Sequence, residues 1–193
     1  MAYIIGLTGG IGSGKTTLVN YMESLGIPVF IADEEAKKAM QSPHVLEEVK
    51  TSFGNSIFEN GQLNRQQLAS IVFSNPDKLK ELNSIIHPEV KRLFAIWLNQ
   101  HKTVPFVVYE AAILFESGSY QNCDYIITVT APLEDRITRV MQRDNCSREQ
   151  VLQRINAQWT DEERAAKSNF VIDNTTAQSA KNEIDKILKI LKN

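Results

Sequence analysis

Apolar residues cluster in two distinct ways along the chain. Short, nearly continuous β-prone runs occur at Tyr3–Leu7 (YIIGL), Pro28–Ala32 (PVFIA), Pro105–Tyr109 (PFVVY), Asp124–Thr130 (DYIITVT) and Phe170–Asp173 (FVID). Runs of this kind suit strands covered on both faces, as in a parallel sheet. Between them the apolar positions recur at helical spacing: Leu18, Met22 and Leu25, then Leu133 to Arg143, and finally Ile184, Ile187, Leu188 and Leu191. Gly26 is placed to end the first helix. Ser147 with Gln150 and Thr160 with Glu163 read as capping boxes opening two more. Five strands alternating with helices predict an α/β fold with a doubly wound, mostly parallel sheet.

From His44 to His101 the strand signals nearly vanish. A helix over Glu34–Gln41 stops before Pro43. Leu46, Val49 and Phe53 suggest a helix ended by Gly54, Asn60-Gly61 marks a turn, and Asn64 with Gln67 opens a helix through Phe73. A long pattern follows from Pro76 to Trp97. Pro88 interrupts it, which predicts a kink or two helices meeting near His87. The expected organisation is a core of residues 1–34 and 103–193, a lid at about 140–166 within it, and a helical insertion over 35–102.

The first apolar run breaks into Gly9-Gly10-Ile11-Gly12-Ser13-Gly14-Lys15-Thr16-Thr17. This is strand, phosphate-cradling loop and helix start: Gly, four residues, then Gly-Lys-Ser/Thr. Glycines let the backbone turn tightly and aim successive N–H groups into one concavity. The following helix adds its unpaired N–H groups and positive dipole end. Residues Gly10 to Thr17 are therefore the candidate nucleotide contacts. Lys15 suits the β- and γ-phosphates, and the Thr16 hydroxyl suits Mg²⁺. With this loop the sheet is of the P-loop NTPase type, and a nucleotide with Mg²⁺ is the expected ligand pair.

Ligands of open parallel sheets sit beyond the carboxyl ends of the strands. Asp33, Glu110 and the Thr130–Pro132 turn follow strands two, three and four. Asp33 suits a proton acceptor or, equally, a helix N-cap. Glu110 suits Mg²⁺ held through water, or a solvated strand-end charge. Arg139 and Arg143 share a helical face and suit a phosphoryl clamp, with a basic face paired to Asp144 and Glu149 as the alternative. Arg148, Arg154 and Arg164 lie in a polar stretch fit for a lid that excludes water. His87, a lone helical histidine, reads as structural on its own.

Composition narrows the partners. A net charge of −2 in 193 residues gives no bulk basic field for nucleic acid or anionic membrane. No 18-residue apolar stretch suggests a membrane span, and the N-terminal apolar run is too short for a signal peptide. Cys123 and Cys146 lack metal-ligand spacing and read as reduced thiols of a cytoplasmic protein. No obligate protein partner is evident, and a small-molecule substrate is expected. Two classes remain: a small-molecule kinase, and a regulatory GTPase or ATPase switch. The chain has no Asn-Lys-x-Asp guanine-reading tetrapeptide, and its lid arginines favour the kinase.

With these residues in view, the chain resembles the dephospho-CoA kinase family over nearly its whole length. The resemblance is carried by GLTGGIGSGKTT, Ala32-Asp33, His87-Pro88, Ala112-Ile113-Leu114-Phe115-Glu116, Arg139-x-x-x-Arg143-Asp144 and Val171-Ile172-Asp173-Asn174, in family order. It implies phosphorylation of the ribose 3′-hydroxyl of dephospho-CoA by Mg-ATP, the last step of coenzyme A synthesis. It implies a core, a helical CoA-binding domain and a lid. It also implies Asp33 as catalytic base, Thr8, His87, Leu114 and Glu116 at the acceptor, and Asn174 at the nucleotide. Two departures stand out. Members often read Asp-Ala-Asp where this chain has Ile31-Ala32-Asp33, so any role of the first acid is absent. They often read Pro-Leu-Leu where it has Ala112-Ile113-Leu114, an apolar swap.

Overall fold

The computed structural model describes residues 2–59 and 61–192, apart from the Phe73 side chain. The chain divides into two compact units, Met1–Ile31 with His101–Asn193, and Ala32–Gln100. The divisions fall at 31/32 and 100/101, two or three residues before the boundaries expected from the sequence.

The first unit holds a five-stranded parallel sheet. Its strands are β1 (Tyr3–Thr8), β2 (Val29–Ile31), β5 (Phe106–Glu110), β6 (Tyr125–Thr130) and β7 (Phe170–Asp173), in the order β2-β5-β1-β6-β7. β1 is therefore central, and every residue of β5 is buried. That is why both strands read as unbroken apolar runs. The flanking helices are α1 (Lys15–Ser24), α6 (Leu133–Asp144), α7 (Arg148–Asn156), α8 (Asp161–Ala166) and α9 (Ala177–Leu191). Leu18 and Met22 of α1 and Ile184, Ile187 and Leu188 of α9 meet Ile5, Leu7, Ile127 and Val129 in one core. Leu25, expected on the same face as Leu18, is instead 46% exposed. It stands at the C-cap, where the chain turns through Gly26 at φ 79° and leaves the helical face.

Register aligns the strand ends that matter. Leu7 pairs with Glu110, Ile31 with Glu110, Thr8 with Thr128, and Thr130 with Asp173. The carboxyl ends of the strands thus form one edge, and the phosphate loop leaves it from the central strand.

The second unit contains α2 (Ala32–Ala39), α3 (Pro43–Phe53), a hairpin of β3 (Phe58–Glu59) and β4 (Gln62–Leu63), α4 (Arg65–Ser74) and α5 (Pro76–Gln100). α2, α3 and α4 all pack on α5. Pro43 opens α3 at its first turn, where a missing N–H costs nothing. The Asn64 side chain accepts the Gln67 N–H at 3.0 Å, capping α4. Three expectations need correction. α2 starts at Ala32, so Asp33 lies inside its first turn and is not its N-cap. α5 continues through Pro88 as one helix, so of the expected kink or two helices near His87 the second is excluded. Proline there withdraws the donor for the Ser84 carbonyl, on a face of the helix where Ser84 and Pro88 are both exposed. The hairpin was not foreseen, because strands of two residues carry too little alternation to register. Of the expected Asn60-Gly61 turn, Asn60 lies outside the described residues, while Gly61 has φ 78°.

Candidate active site

The phosphate loop is shaped by residues that need the absence of a Cβ. Gly14 takes φ 88° and ψ 26°, in the left-handed region, and α1 opens directly on Lys15 with no side chain capping it. No side-chain cap therefore competes with an anion at this helix start, where the Thr17 N–H is bonded to the Gly14 carbonyl at 3.1 Å. The Lys15 ammonium donates to the Gly9 carbonyl at 2.8 Å, so its charge lies across the loop. Thr16 and Thr17 are exposed in the first turn of α1. The Thr8 and Ser13 hydroxyls are buried and have no hydrogen-bond partner among the described residues. Two buried hydroxyls thus stand unpartnered, one just before the loop and one at its middle.

Asn174 and Arg139 brace the loop. The Asn174 backbone N–H donates to the Thr130 carbonyl at 2.8 Å, and its side-chain amide donates to the Ser13 carbonyl at 2.8 Å. A Cβ on Gly14 would lie 2.1 Å from that amide nitrogen, so only glycine fits beside Asn174. Arg139 donates to the Gly12 carbonyl at 3.4 Å and to the Asn174 carbonyl at 3.0 Å. Arg143 is placed differently. It forks onto Asp144 at 2.7 and 2.9 Å, and Arg154 joins the same carboxylate at 2.6 Å. These two arginines hold the Asp144 carboxyl well below the usual carboxylate range. Arg148 forks onto Glu134. Of the expected arginine pair, the structure brings only Arg139 to the loop.

Glu110, at the end of β5, is buried at 8% exposure and in register with Leu7, one residue before Thr8. Leu114 is completely buried, and a Cβ on Gly6 would lie 2.9 Å from its Cδ2. Its side chain is thus packed against β1 and offers no free face to a ligand. Glu116 accepts the Trp159 N–H at 3.2 Å and an Arg164 N–H at 3.0 Å. It ties the segment after β5 to α8 and the connection that precedes it. The Trp159 ring stacks on Phe115 with centroids 5.4 Å apart. Gln158, Trp159 and Asp161 had no motif to mark them, because they sit in and just after the short connection between two capping boxes. Arg136, one turn before Arg139 on α6, is buried at 6% exposure.

In the second unit, Asp33 is exposed in the first turn of α2, two residues after β2 ends. His87 lies on α5, half-buried, and burial lowers its pKa. A ligand would therefore meet a neutral imidazole near pH 7.

Comparison with known proteins agrees with this geometry. Residues 3–179 match the family model of dephospho-CoA kinase. A dephospho-CoA kinase of Bacteroides fragilis is 42% identical over 175 residues, covering 90% of this chain and 85% of that protein. One from Fusobacterium nucleatum is 40% identical over 174 residues, covering 90% of each. Among solved structures, one from Thermus thermophilus superposes with a TM-score of 0.90 at 38% identity, covering 98% of this chain and 97% of that one. A dephospho-CoA kinase from Campylobacter jejuni gives 0.71 at 29% identity, covering 100% and 98%. A shikimate kinase from Bacteroides thetaiotaomicron, at 9% identity and a TM-score of 0.56, shares the fold alone. With a family model spanning most of its length and relatives near 40% identity, this chain belongs to the dephospho-CoA kinase family.

Proposed function

We propose that the protein transfers the γ-phosphoryl group of ATP to the ribose 3′-hydroxyl of dephospho-CoA, giving coenzyme A and ADP in the cytoplasm. The observation that carries the reading is the Gly9–Thr17 loop. It leaves the carboxyl end of the central strand and opens into an uncapped helix, in a chain of this family. Phosphoryl transfer needs positioning and charge stabilisation more than covalent chemistry. Backbone N–H groups at Gly10, Gly12, Gly14, Lys15 and Thr16 hold the β- and γ-phosphates, those of Ile11, Ser13 and Thr17 being bonded to Gln158, Gly10 and Gly14, and Lys15 places its ammonium on the phosphates. Arg139, already fixed at the Gly12 and Asn174 carbonyls, adds positive charge beside the loop.

The oxygen donors of Thr16 and Glu110 suit a hard divalent cation, one hydroxyl in the first turn of α1 and one carboxylate at the end of β5. A Mg²⁺ held by these residues would supply positive charge against the phosphates. Asp33 accepts the proton of the attacking hydroxyl, and His87 and Glu116 contact the acceptor. The helical unit provides the acceptor contacts that begin at Asp33. Arg143 reaches the transferring group after the lid closes and it exchanges Asp144 for phosphate.

The reading is tested by offering the purified protein Mg-ATP with dephospho-CoA, AMP, shikimate or pantothenate in turn. Coenzyme A is expected with the first and little ADP with the others. Faster turnover of another acceptor overturns the substrate while leaving the kinase class standing. Alanine at Arg139 or Arg143 is expected to lower turnover about 10- to 100-fold, the range for lost hydrogen bonds to a charged group. Lysine should restore only part of it, because a point charge does not reproduce a planar fork. Full restoration by lysine at both positions identifies a plain basic surface.

A further inference from the structure

We infer that Ile11 is where α6 and the connection between α7 and α8 hold the phosphate loop in its nucleotide-receiving shape, with Gln158 and Arg136 as positioning residues. The inference rests on the kinase reading above and concerns its nucleotide half.

Ile11 is gripped three ways. Its N–H donates to the Gln158 side-chain oxygen at 2.9 Å, and its carbonyl accepts from the Arg136 Nε at 2.9 Å. Its side chain packs against Ile137, Val140 and Val151, the small core joining α6 to α7. Only the oxygen of the Gln158 amide can meet an N–H, so chemistry dictates its orientation. Arg136 is itself locked, donating to Asp161 at 2.8 Å. The other Asp161 oxygen faces the fully buried Arg164 at 3.7 Å, and Arg164 reaches Glu116. Hydrogen bonds and one 3.7 Å ion pair therefore link the loop through Arg136, Asp161 and Arg164 to Glu116, after β5.

The glycines on either side of Ile11 have the same cause. The general phosphate-loop pattern requires glycine at Gly9 and Gly14, and it leaves positions 10 and 12 open. Here a Cβ on Gly10 would lie 2.1 Å from an Arg136 Nη, and one on Gly12 would lie 2.5 Å from the Arg136 carbonyl oxygen. Gly10 and Gly12 make room for Arg136 to lie against the loop. Gly-Gly-Ile-Gly is thus an apolar hook set between two gaps. A loop ordered beforehand spares the nucleotide the cost of ordering it.

The test uses Gln158→Met, which keeps length and removes the acceptor. ATP and ADP affinities are measured by calorimetry, beside kcat, KM for ATP and melting temperature. The expected result is nucleotide Kd and KM raised roughly three- to tenfold, with kcat kept within about twofold, the pattern of lost uniform binding. A lower melting temperature at unchanged nucleotide affinity overturns the inference, because the contact then serves only lid packing. A second arm uses Gly10→Ala. It should weaken ATP binding alone and recover part of the loss when combined with Arg136→Met, which removes the guanidinium the new methyl would strike. An undiminished loss in the double variant also overturns the inference. Failure of wild-type protein to phosphorylate dephospho-CoA refutes the acceptor assignment, while calorimetry still decides the role of Ile11.

Discussion

Lys15→Ala is expected to lower phosphoryl transfer by roughly 10²-fold or more at saturating Mg-ATP, with the melting temperature little changed. The lysine side chain reaches the Gly9 carbonyl at 2.8 Å, so it already lies across the loop where phosphate charge would develop. Removing it deletes a point charge whose worth rises as phosphoryl transfer proceeds. The stability cost is that of one hydrogen bond, about 1 kcal/mol. Rate and stability effects should therefore separate clearly. Steady-state kinetics and thermal unfolding on the same preparation check this, and near-normal turnover by a folded variant would sink the loop assignment.

Asp33→Asn should lower kcat by about 10²- to 10⁴-fold, the span typical of removing a general base, with ATP affinity nearly unchanged. Asparagine keeps the size of the side chain and removes its capacity to take a proton. The structural alternative is definite. Asp33, Glu34 and Glu35 make an acidic first turn in α2, which favours the positive end of the helix dipole. Loss of one such exposed charge costs about 0.3–1 kcal/mol, far too little to explain a large rate effect. A fall in melting temperature at normal specific activity would identify Asp33 as a helix-end charge and leave the base unassigned.

Most of the fold was legible because its signals are local. The five apolar runs, the two capping boxes and Gly54 at the end of α3 each depend on residues within a few positions of one another. Misreadings came where local signals were ambiguous. Pro88 leaves a kink and a helix boundary as alternatives, and only the continuous α5 removes the second. The β3–β4 hairpin was too short to show a period.

The candidate site divides along the same line. The loop motif displayed Gly9 to Thr17 directly, because one contiguous segment supplies the backbone N–H groups, the lysine and the hydroxyl. The arginines could not be separated by sequence. Arg136, Arg139 and Arg143 lie on a single helix, and spacing alone favoured the pair one turn apart. The fold sends Arg136 beneath Gly10, Arg139 to Gly12 and Asn174, and Arg143 to Asp144.

By itself, then, the sequence determined the strand and helix alternation, the loop that receives phosphate, and the family resemblance built on short contiguous motifs. The tertiary structure alone decided which side chains hold that loop. Arg136 reaches Ile11 across 125 positions of chain, Gln158 across 147, and Asn174 reaches Ser13 across 161. No local period or cap encodes such contacts. They exist only once a central β1 between β5 and β6 brings the loop, α6 and the end of β7 to one edge of the sheet.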